Sequence, residues 1–318
     1  MWGLQHPERA ARRLRRLRAV SAATVLGRGV ALLRARPGWA IPLDAIAVNL
    51  RAYARTVPPP SRAAFARLHR GTTVISETEA RLRGARVGNV LRLTEGRRMR
   101  IAAVVPDDVL HDAEVAVAAG DPRVPPLRST VIVALRAPIA RRTLIRRAQP
   151  GATGRILPGG PLEPSGPVGP ARPALLKVRF GEPAVGLPYG SDWIRLDPAF
   201  VRRYVVYRRV PILGTVRCHR AMVPHLRAAL RELVRRGLAG LVDPGDFAGC
   251  WAPRRIQARG QLSLHAWGLA VDLNASRNPF MGRSHQDPRL VRVMEEHGFT
   301  WGGRWPTRPD PMHFEYRG

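Results

Sequence analysis

The strongest periodicity in the chain lies between Met222 and Gly237. Met222, Leu226, Leu230 and Leu233 recur at helical spacing, with Arg227, Arg231 and Glu232 between them and Gly237 suited to the C-terminal cap. This predicts an amphipathic helix covering a core. A second helix is predicted from Asp287-Pro288, an N-cap and first-turn pair, through Leu290, Val293 and Met294 to Gly298. Between the two the period shortens to two. Leu269, Val271 and Leu273 alternate with Ala270, Asp272 and Asn274, as in a strand with one buried face. An aspartate in so apolar a strand needs a compensating partner, and a cation is a good one.

Earlier segments read differently. Glu8 to Arg18 places arginines around Leu14 and Leu17, which suits a basic helix, and Ala19 to Gly27 continues it without charge until Arg28. Residues 1–40 therefore read as a basic leader, either a degenerate export signal or a disordered tail, with too short an apolar run for a regular signal. Residues 41–148 read as a β-rich α+β domain of unknown role. Within it, Ser76 and Glu79 form a capping box for a short helix ending near Gly84. Val90–Leu93 and Met99–Val105 form a hairpin about a turn at 94–97, and Val131–Leu135 is a further strand. His69 and His111 stand alone and read as surface histidines. Residues 149–174, dense in Gly and Pro, read as a linker to a final domain at 175–318, where Leu175–Phe180 and Tyr204–Tyr207 are predicted strands.

Composition then narrows the partners. The 318 residues carry a formal charge of +30. Lys177 is the single lysine, so the excess is arginine spread along the whole chain, a bias of composition more than a nucleic-acid footprint. Nucleic acid is not the predicted partner; an anionic cell-wall or membrane surface suits the charge better. No run approaches the length of a transmembrane helix, so no integral membrane segment is predicted. Cys218 and Cys250 are the only cysteines, too few for a disulfide framework or a thiolate zinc site. An exported protein would pair them, and two buried thiols are an equal alternative.

The chemistry concentrates in the last quarter. His265 and Asp272 in Ser263–Asn274, with His313 in Asp310-Pro311-Met312-His313-Phe314-Glu315, offer two imidazole nitrogens and one carboxylate oxygen. That ligand set suits Zn2+ and leaves a fourth position for water. Asp310, three residues before His313, is a candidate base for that water; Glu315 is the other. His219, His225, His285 and His297 read as bystanders. Trp301-Gly302-Gly303-Arg304-Trp305 reads as a pocket wall or as ordinary core packing with a tight turn.

S-x-H-x-x-G-x-A-x-D at 263–272, the Trp-Gly-Gly-x-Trp run at 301–305 and D-x-x-H-F-E at 310–315 together resemble the M15 metallopeptidase family. These are D-alanyl-D-alanine carboxypeptidases and related L-alanyl-D-glutamate endopeptidases that cut peptidoglycan stem peptides. The resemblance runs from about Val210 to Phe314. It implies an α+β zinc peptidase domain of the D-Ala-D-Ala carboxypeptidase and hedgehog-like type, with helices packed on a small antiparallel sheet. It implies His265, Asp272 and His313 as zinc ligands, with the base before the histidine and hence Asp310. Arg254, upstream of the first ligand, is implied as the stabiliser of the oxyanion, with Arg255 as fallback. Ser263 and Trp305 are implied as substrate contacts, although a turn-stabilising role for Ser263 is an equal reading. Peptidoglycan peptides as partner and an extracytoplasmic location follow from the same resemblance. More weakly, residues 73–105 resemble the small β-rich extracytoplasmic domain of some ABC-transporter permeases. Two rival functions stay open, a zinc-retaining wall-binding module without turnover and a scaffolding protein whose N-terminal half binds wall or membrane.

Overall fold

A computed structural model describes residues 5–149, 173–256, 260–305 and 308–318. The fold is mixed α+β with several sheets. The chain divides into two compact units, whose described parts are 5–149 with 173–175 and 260–261, and 176–256 with 262–305 and 308–318. The Gly/Pro-rich stretch read as a linker lies, from 150 to 172, outside the described residues.

The first unit holds the strands β1 (Val20–Arg36), β2 (Trp39–Val48), β3 (Thr72–Ser76), β4 (Val90–Arg92), β5 (Arg98–Val105), β6 (Val115–Ala118) and β7 (Arg128–Leu135). They lie side by side in the order β4-β5-β3-β6-β2-β1-β7. Five helices accompany them: α1 (Pro7–Arg15), α2 (Leu50–Ala54), α3 (Arg62–Ala66), α4 (Glu77–Arg83) and α5 (Arg141–Ala148). The segment read as a leader contains α1 and most of β1. Ala10, Ala11 and Leu14 of α1 pack on Val20, Ala23 and Val131, and β1 is the longest strand, running antiparallel to both β2 and β7. The apolar run after the basic helix is β-branched and alanine-rich enough to pair on both edges. Arg28, which interrupts it in sequence, donates from Nη2 to the His111 carbonyl at 2.9 Å.

The hairpin read at 90–105 is β4 and β5, with Leu91 opposite Met99. The capping box of α4 is half formed. Ser76 Oγ accepts from the Glu79 N–H at 3.3 Å, but the Glu79 carboxylate turns to Arg83 Nε at 2.6 Å. Gly84 closes the helix in the left-handed region, φ 57°. His69 is exposed; His111 is half-buried and edge-on to Tyr53.

The second unit begins within α6 (Pro173–Phe180), at Leu176, and continues through β8 (Val185–Gly186), α7 (Pro198–Tyr204), β9 (Val205–Val210), β10 (Gly214–His219) and α8 (Val223–Arg235). Then come β11 (Phe247–Gly249), α9 (Leu264–Trp267), β12 (Ala270–Leu273), α10 (Pro288–Glu296), β13 (Phe299–Trp301) and β14 (His313–Tyr316). The predicted strand at Leu175–Phe180 is helical instead; Leu176 and Phe180, four apart, both enter the core, a helical and not an alternating spacing. Tyr204–Tyr207 straddles the end of α7 and the start of β9. The two predicted helices are α8 and α10. Leu226, Leu230 and Leu233 of α8 are fully buried, as are Leu290 and Met294 of α10.

A four-stranded antiparallel sheet, β11-β12-β14-β13, positions the site. Val271 and Leu273 of β12 and Phe314 of β14 point into the core with α8 and α10. Strand alternation then sends Ala270, Asp272, His313 and Glu315 to the opposite face. No helix among the described residues is long and apolar enough to cross a membrane.

Candidate metal centre

Sheet register brings the first two groups together. Asp272 of β12 pairs directly with His313 of β14, so their side chains share one face. His313 Nδ1 lies 2.8 Å from Asp272 Oδ1. The third group arrives on a single helical turn. Ser263 is the N-cap of α9, its hydroxyl accepting from the His265 N–H at 3.3 Å. Gly268 ends α9 at φ 73°, where a Cβ would meet the His219 backbone nitrogen at 2.7 Å. The turn can therefore sit against β10 only with glycine there. His265 Nε2 then lies 3.1 Å from Asp272 Oδ2 and 3.1 Å from His313 Nδ1. One ligand atom from each of the three lies within 4.8 Å of the others, and all three residues are buried.

The outer partners fix which nitrogens face inward. His265 Nδ1 is 2.8 Å from the Cys250 carbonyl oxygen, which only accepts, so that nitrogen carries the proton. His313 lies between two acceptors, Nε2 3.1 Å from Glu315 Oε1 and Nδ1 2.8 Å from Asp272 Oδ1, so with Nε2–H held by Glu315 the Nδ1 lone pair is the one it can offer a metal. Arg317 holds the same carboxylate, with Nη2 2.6 Å from Glu315 Oε2. Two imidazole lone pairs and one carboxylate thus converge in a buried space. That arrangement is repulsive until a cation or a proton enters it, and it fits a divalent metal with nitrogen and oxygen ligands.

The proton affinities express the same tension. Burial opposes charge on Asp272, yet the two imidazoles hold its carboxyl far below the ordinary range. Burial also works against charge on His313, but Asp272 and Glu315 outweigh it and push the imidazole up to about 10. Burial raises Glu315, and the Arg317 guanidinium and His313 bring it down to about 2.

Asp310 stands beside the cluster. Burial raises its carboxyl above the ordinary range, with the charges of His313, Asp272, His265 and Arg254 all acting on it. Its Oδ1 is buried without a hydrogen-bond partner among the described residues. The loop that presents it is fixed by the Trp301–Trp305 turn. The Asp310 N–H donates to the Gly302 carbonyl at 3.0 Å, and a Cβ on Gly302 would meet the Asp310 carbonyl oxygen at 2.7 Å. The indole N–H of Trp301 reaches the Pro311 carbonyl at 2.8 Å. Trp305 is half-buried with its ring centroid 5.4 Å from that of His313, so it lies at the cluster.

The two arginines separate. Arg255 is committed to the 190–191 segment, Nε to the Ser191 carbonyl at 2.6 Å and Nη2 to the Gly190 carbonyl at 2.5 Å. The half-buried Arg254 side chain makes no hydrogen bond or ion pair among the described residues, and its charge reaches Asp310. Ser263 is buried and used as a cap, the turn-stabilising role. Glu315 faces the outer nitrogen of His313 and is not beside Asp310's free oxygen. Its spacing of two from His313 on a strand was the signal that they share a face.

The remaining histidines have other partners. His219 Nε2 reaches the Phe180 carbonyl at 3.0 Å, His225 Nε2 the Tyr316 hydroxyl at 2.7 Å, and His297 Nδ1 the Val293 carbonyl at 2.8 Å, while the His285 ring is exposed. Cys218 and Cys250 form a disulfide. Sequence reasoning missed the Cys250 carbonyl, a main-chain group that no side-chain pattern reveals.

Residues 257–316 match a protein-family model described as D-alanyl-D-alanine carboxypeptidase, one of the M15 peptidases. The stretch is a minor part of the chain but contains His265, Asp272, Asp310 and His313; Arg254 lies outside it. No curated protein matches the chain. Two solved structures are similar in part. One is a domain of a permease protein from Porphyromonas gingivalis, at 19% identity and TM-score 0.30, covering 43% of this chain and 65% of that one. The other is the periplasmic region of MacB from Actinobacillus actinomycetemcomitans, at 10% identity and TM-score 0.30, covering 46% of this chain and 73% of that one. The chain spans less than two thirds of the first, and overlaps this slight carry no functional weight. The C-terminal segment that bears the cluster is similar to the M15 peptidases, and the match supports a peptidase related to D-alanyl-D-alanine carboxypeptidase.

Proposed function

We propose that the second unit is a zinc-dependent peptidase that hydrolyses peptidoglycan stem peptides outside the cytoplasm. The observation that carries this reading is the convergence of two imidazole lone pairs and a carboxylate beside a buried, partnerless Asp310 oxygen. His265 Nε2, an Asp272 oxygen and His313 Nδ1 would hold the metal. Zinc, when bound there, lowers the pKa of a water and polarises a carbonyl. Cys250 and Glu315 keep the two imidazoles in the tautomers that present lone pairs inward.

Asp310 acts as general base. Its carboxylate takes a proton from the attacking water as the new C–O bond forms, and delivers that proton to the amine as the C–N bond breaks. A carboxyl raised by burial is a better proton acceptor than an exposed one, and its free Oδ1 has room for the water. Arg254 stabilises the negative charge that grows on the carbonyl oxygen. Trp305 forms a wall of the substrate site next to His313. The disulfide accords with an oxidising compartment. The +30 charge accords with an anionic wall polymer as the surface on which the protein works.

The test uses the zinc-loaded full chain and two synthetic stem peptides, one ending in D-Ala-D-Ala and one with an internal L-Ala–D-Glu bond. Products are read by mass, with and without chelator. Chelator-sensitive loss of a terminal D-alanine defines a carboxypeptidase, and scission of the internal bond an endopeptidase. A folded, zinc-bound protein that cuts neither contradicts the proposal and favours the wall-binding module.

A further inference from the structure

Trp193 and Arg254 form an antiparallel bridge. Its hydrogen bonds fall on the residues to either side. The Ile194 N–H donates to the Pro253 carbonyl at 3.0 Å, and the Arg255 N–H to the Asp192 carbonyl at 2.8 Å. Trp193 and Arg254 are therefore a non-hydrogen-bonded pair, the kind whose side chains stand on one face at their closest approach. Arg254 is the arginine whose charge reaches Asp310. The indole of Trp193 thus projects from the same face as a group of the candidate site.

The side chain is open while its backbone is tied. Trp193 is 66% exposed, the most exposed of the large apolar side chains among the described residues. Arg255 clamps the preceding segment through the Ser191 and Gly190 carbonyls and lies over the Tyr189 ring at 5.2 Å. The Ser191 hydroxyl donates to the Trp193 carbonyl. A rigid aromatic side chain on a fixed backbone loses little freedom on binding, which is how aromatic anchors contribute affinity.

We propose that Trp193 is a stacking platform for a saccharide ring of the glycan strand to which the stem peptide is attached. The proposal rests on the peptidase reading above and names a further part of its substrate. A pyranose offers a face of C–H groups to an aromatic face while its hydroxyls stay in water, and indole is the largest such surface a protein has. The alanine and glutamate of a stem peptide are too small or too polar to need it. The enzyme therefore prefers peptides still carried on sugar.

Binding to the zinc-loaded full chain carrying Asp310→Asn, which slows turnover, tests this by calorimetry. The two probes are a disaccharide–stem peptide fragment and the same peptide without sugar. With Trp193 intact, the glycosylated probe binds about tenfold more tightly. Trp193→Ala abolishes that ratio and leaves affinity for the bare peptide unchanged, while Trp193→Tyr restores most of it. Zinc content and circular dichroism confirm that each variant is folded. An unchanged ratio in Trp193→Ala, or an equal loss for both probes, overturns the saccharide assignment and leaves the peptidase reading standing. Failure of the Trp193-intact protein to bind either probe overturns the peptidase reading itself.

Discussion

His265 Nδ1 meets the main-chain carbonyl of Cys250 at 2.8 Å, and Cys250 is covalently tied to Cys218 on β10. The disulfide therefore anchors the acceptor that orients a candidate metal ligand. A second tether runs from the His219 N–H to the Gly268 carbonyl at 2.8 Å, so the His265 turn is held to β10 at both ends.

Replacing both cysteines by serine separates two consequences of that anchor. Loss of a crosslink between residues 32 apart costs about 3–4 kcal/mol on a loop-entropy basis, read by denaturant unfolding. Zinc affinity, read by competition with a chromophoric chelator, falls about tenfold because the carbonyl loses its fixed position. A drop in stability with unchanged zinc affinity would show that the bond braces the core and not the ligand.

Glu315 makes an independent case for the outer partners. Glu315→Gln removes the charge that favours Nε2–H on His313 and leaves the Arg317 guanidinium without its carboxylate. Zinc affinity is expected to fall 10- to 100-fold. Glu315→Asp, which keeps the charge but shortens the reach, should fall between the two; equal affinity in all three proteins would remove Glu315 from the site.

The helical period of α8, the cap-to-glycine frame of α10 and the alternation in β12 were legible because each depends on contacts close in sequence. The gathering of His265, Asp272 and His313 was legible because these residue types in two short motifs restrict the chemistry even where the fold is unknown. What was not legible depends on pairing across distance. Val20–Arg36 looks like the tail of a basic helix until β2 and β7 supply its two edges. Leu175–Phe180 is short and apolar, the case where strand and helix cannot be told apart by periodicity. The tie of Arg255 to another loop appeared only with the Gly190 and Ser191 carbonyls in place.

Gly302 offers a way to move the base without replacing a ligand, with the His313 carbonyl oxygen 3.2 Å from where a Cβ would stand. In Gly302→Ala the new methyl meets the Asp310 carbonyl oxygen at 2.7 Å, so the Asp310 loop must shift. Zinc binding is expected to persist while peptide cleavage falls by about 100-fold, since small displacements of positioned groups have effects of that order. Undiminished cleavage would mean that the loop's position is immaterial.

His219 sets a pH limit on stability. Burial holds its imidazole down to about 4, with Nε2 donating to the Phe180 carbonyl and Nδ1 accepting from the Ala221 N–H. The folded state keeps it neutral where the unfolded chain, with an ordinary value near 6.5, is protonated. Stability is full above about pH 6.5 and is lost as pH falls from there toward 4. His219→Gln, which keeps a donor for Phe180 without titrating, should flatten that part of the unfolding profile measured between pH 7 and 4. The same slope in wild type and variant would assign the acid sensitivity to other groups.

We propose zinc on the His265–Asp272–His313 cluster, with Asp310 moving the proton. The most direct measurement is zinc stoichiometry and stem-peptide cleavage in the wild-type chain and in Asp310→Asn, side by side. One zinc per chain is predicted in both, with cleavage lower by 10²- to 10⁴-fold in the variant. Equal cleavage by the variant, or a wild-type protein that binds no zinc, would contradict it.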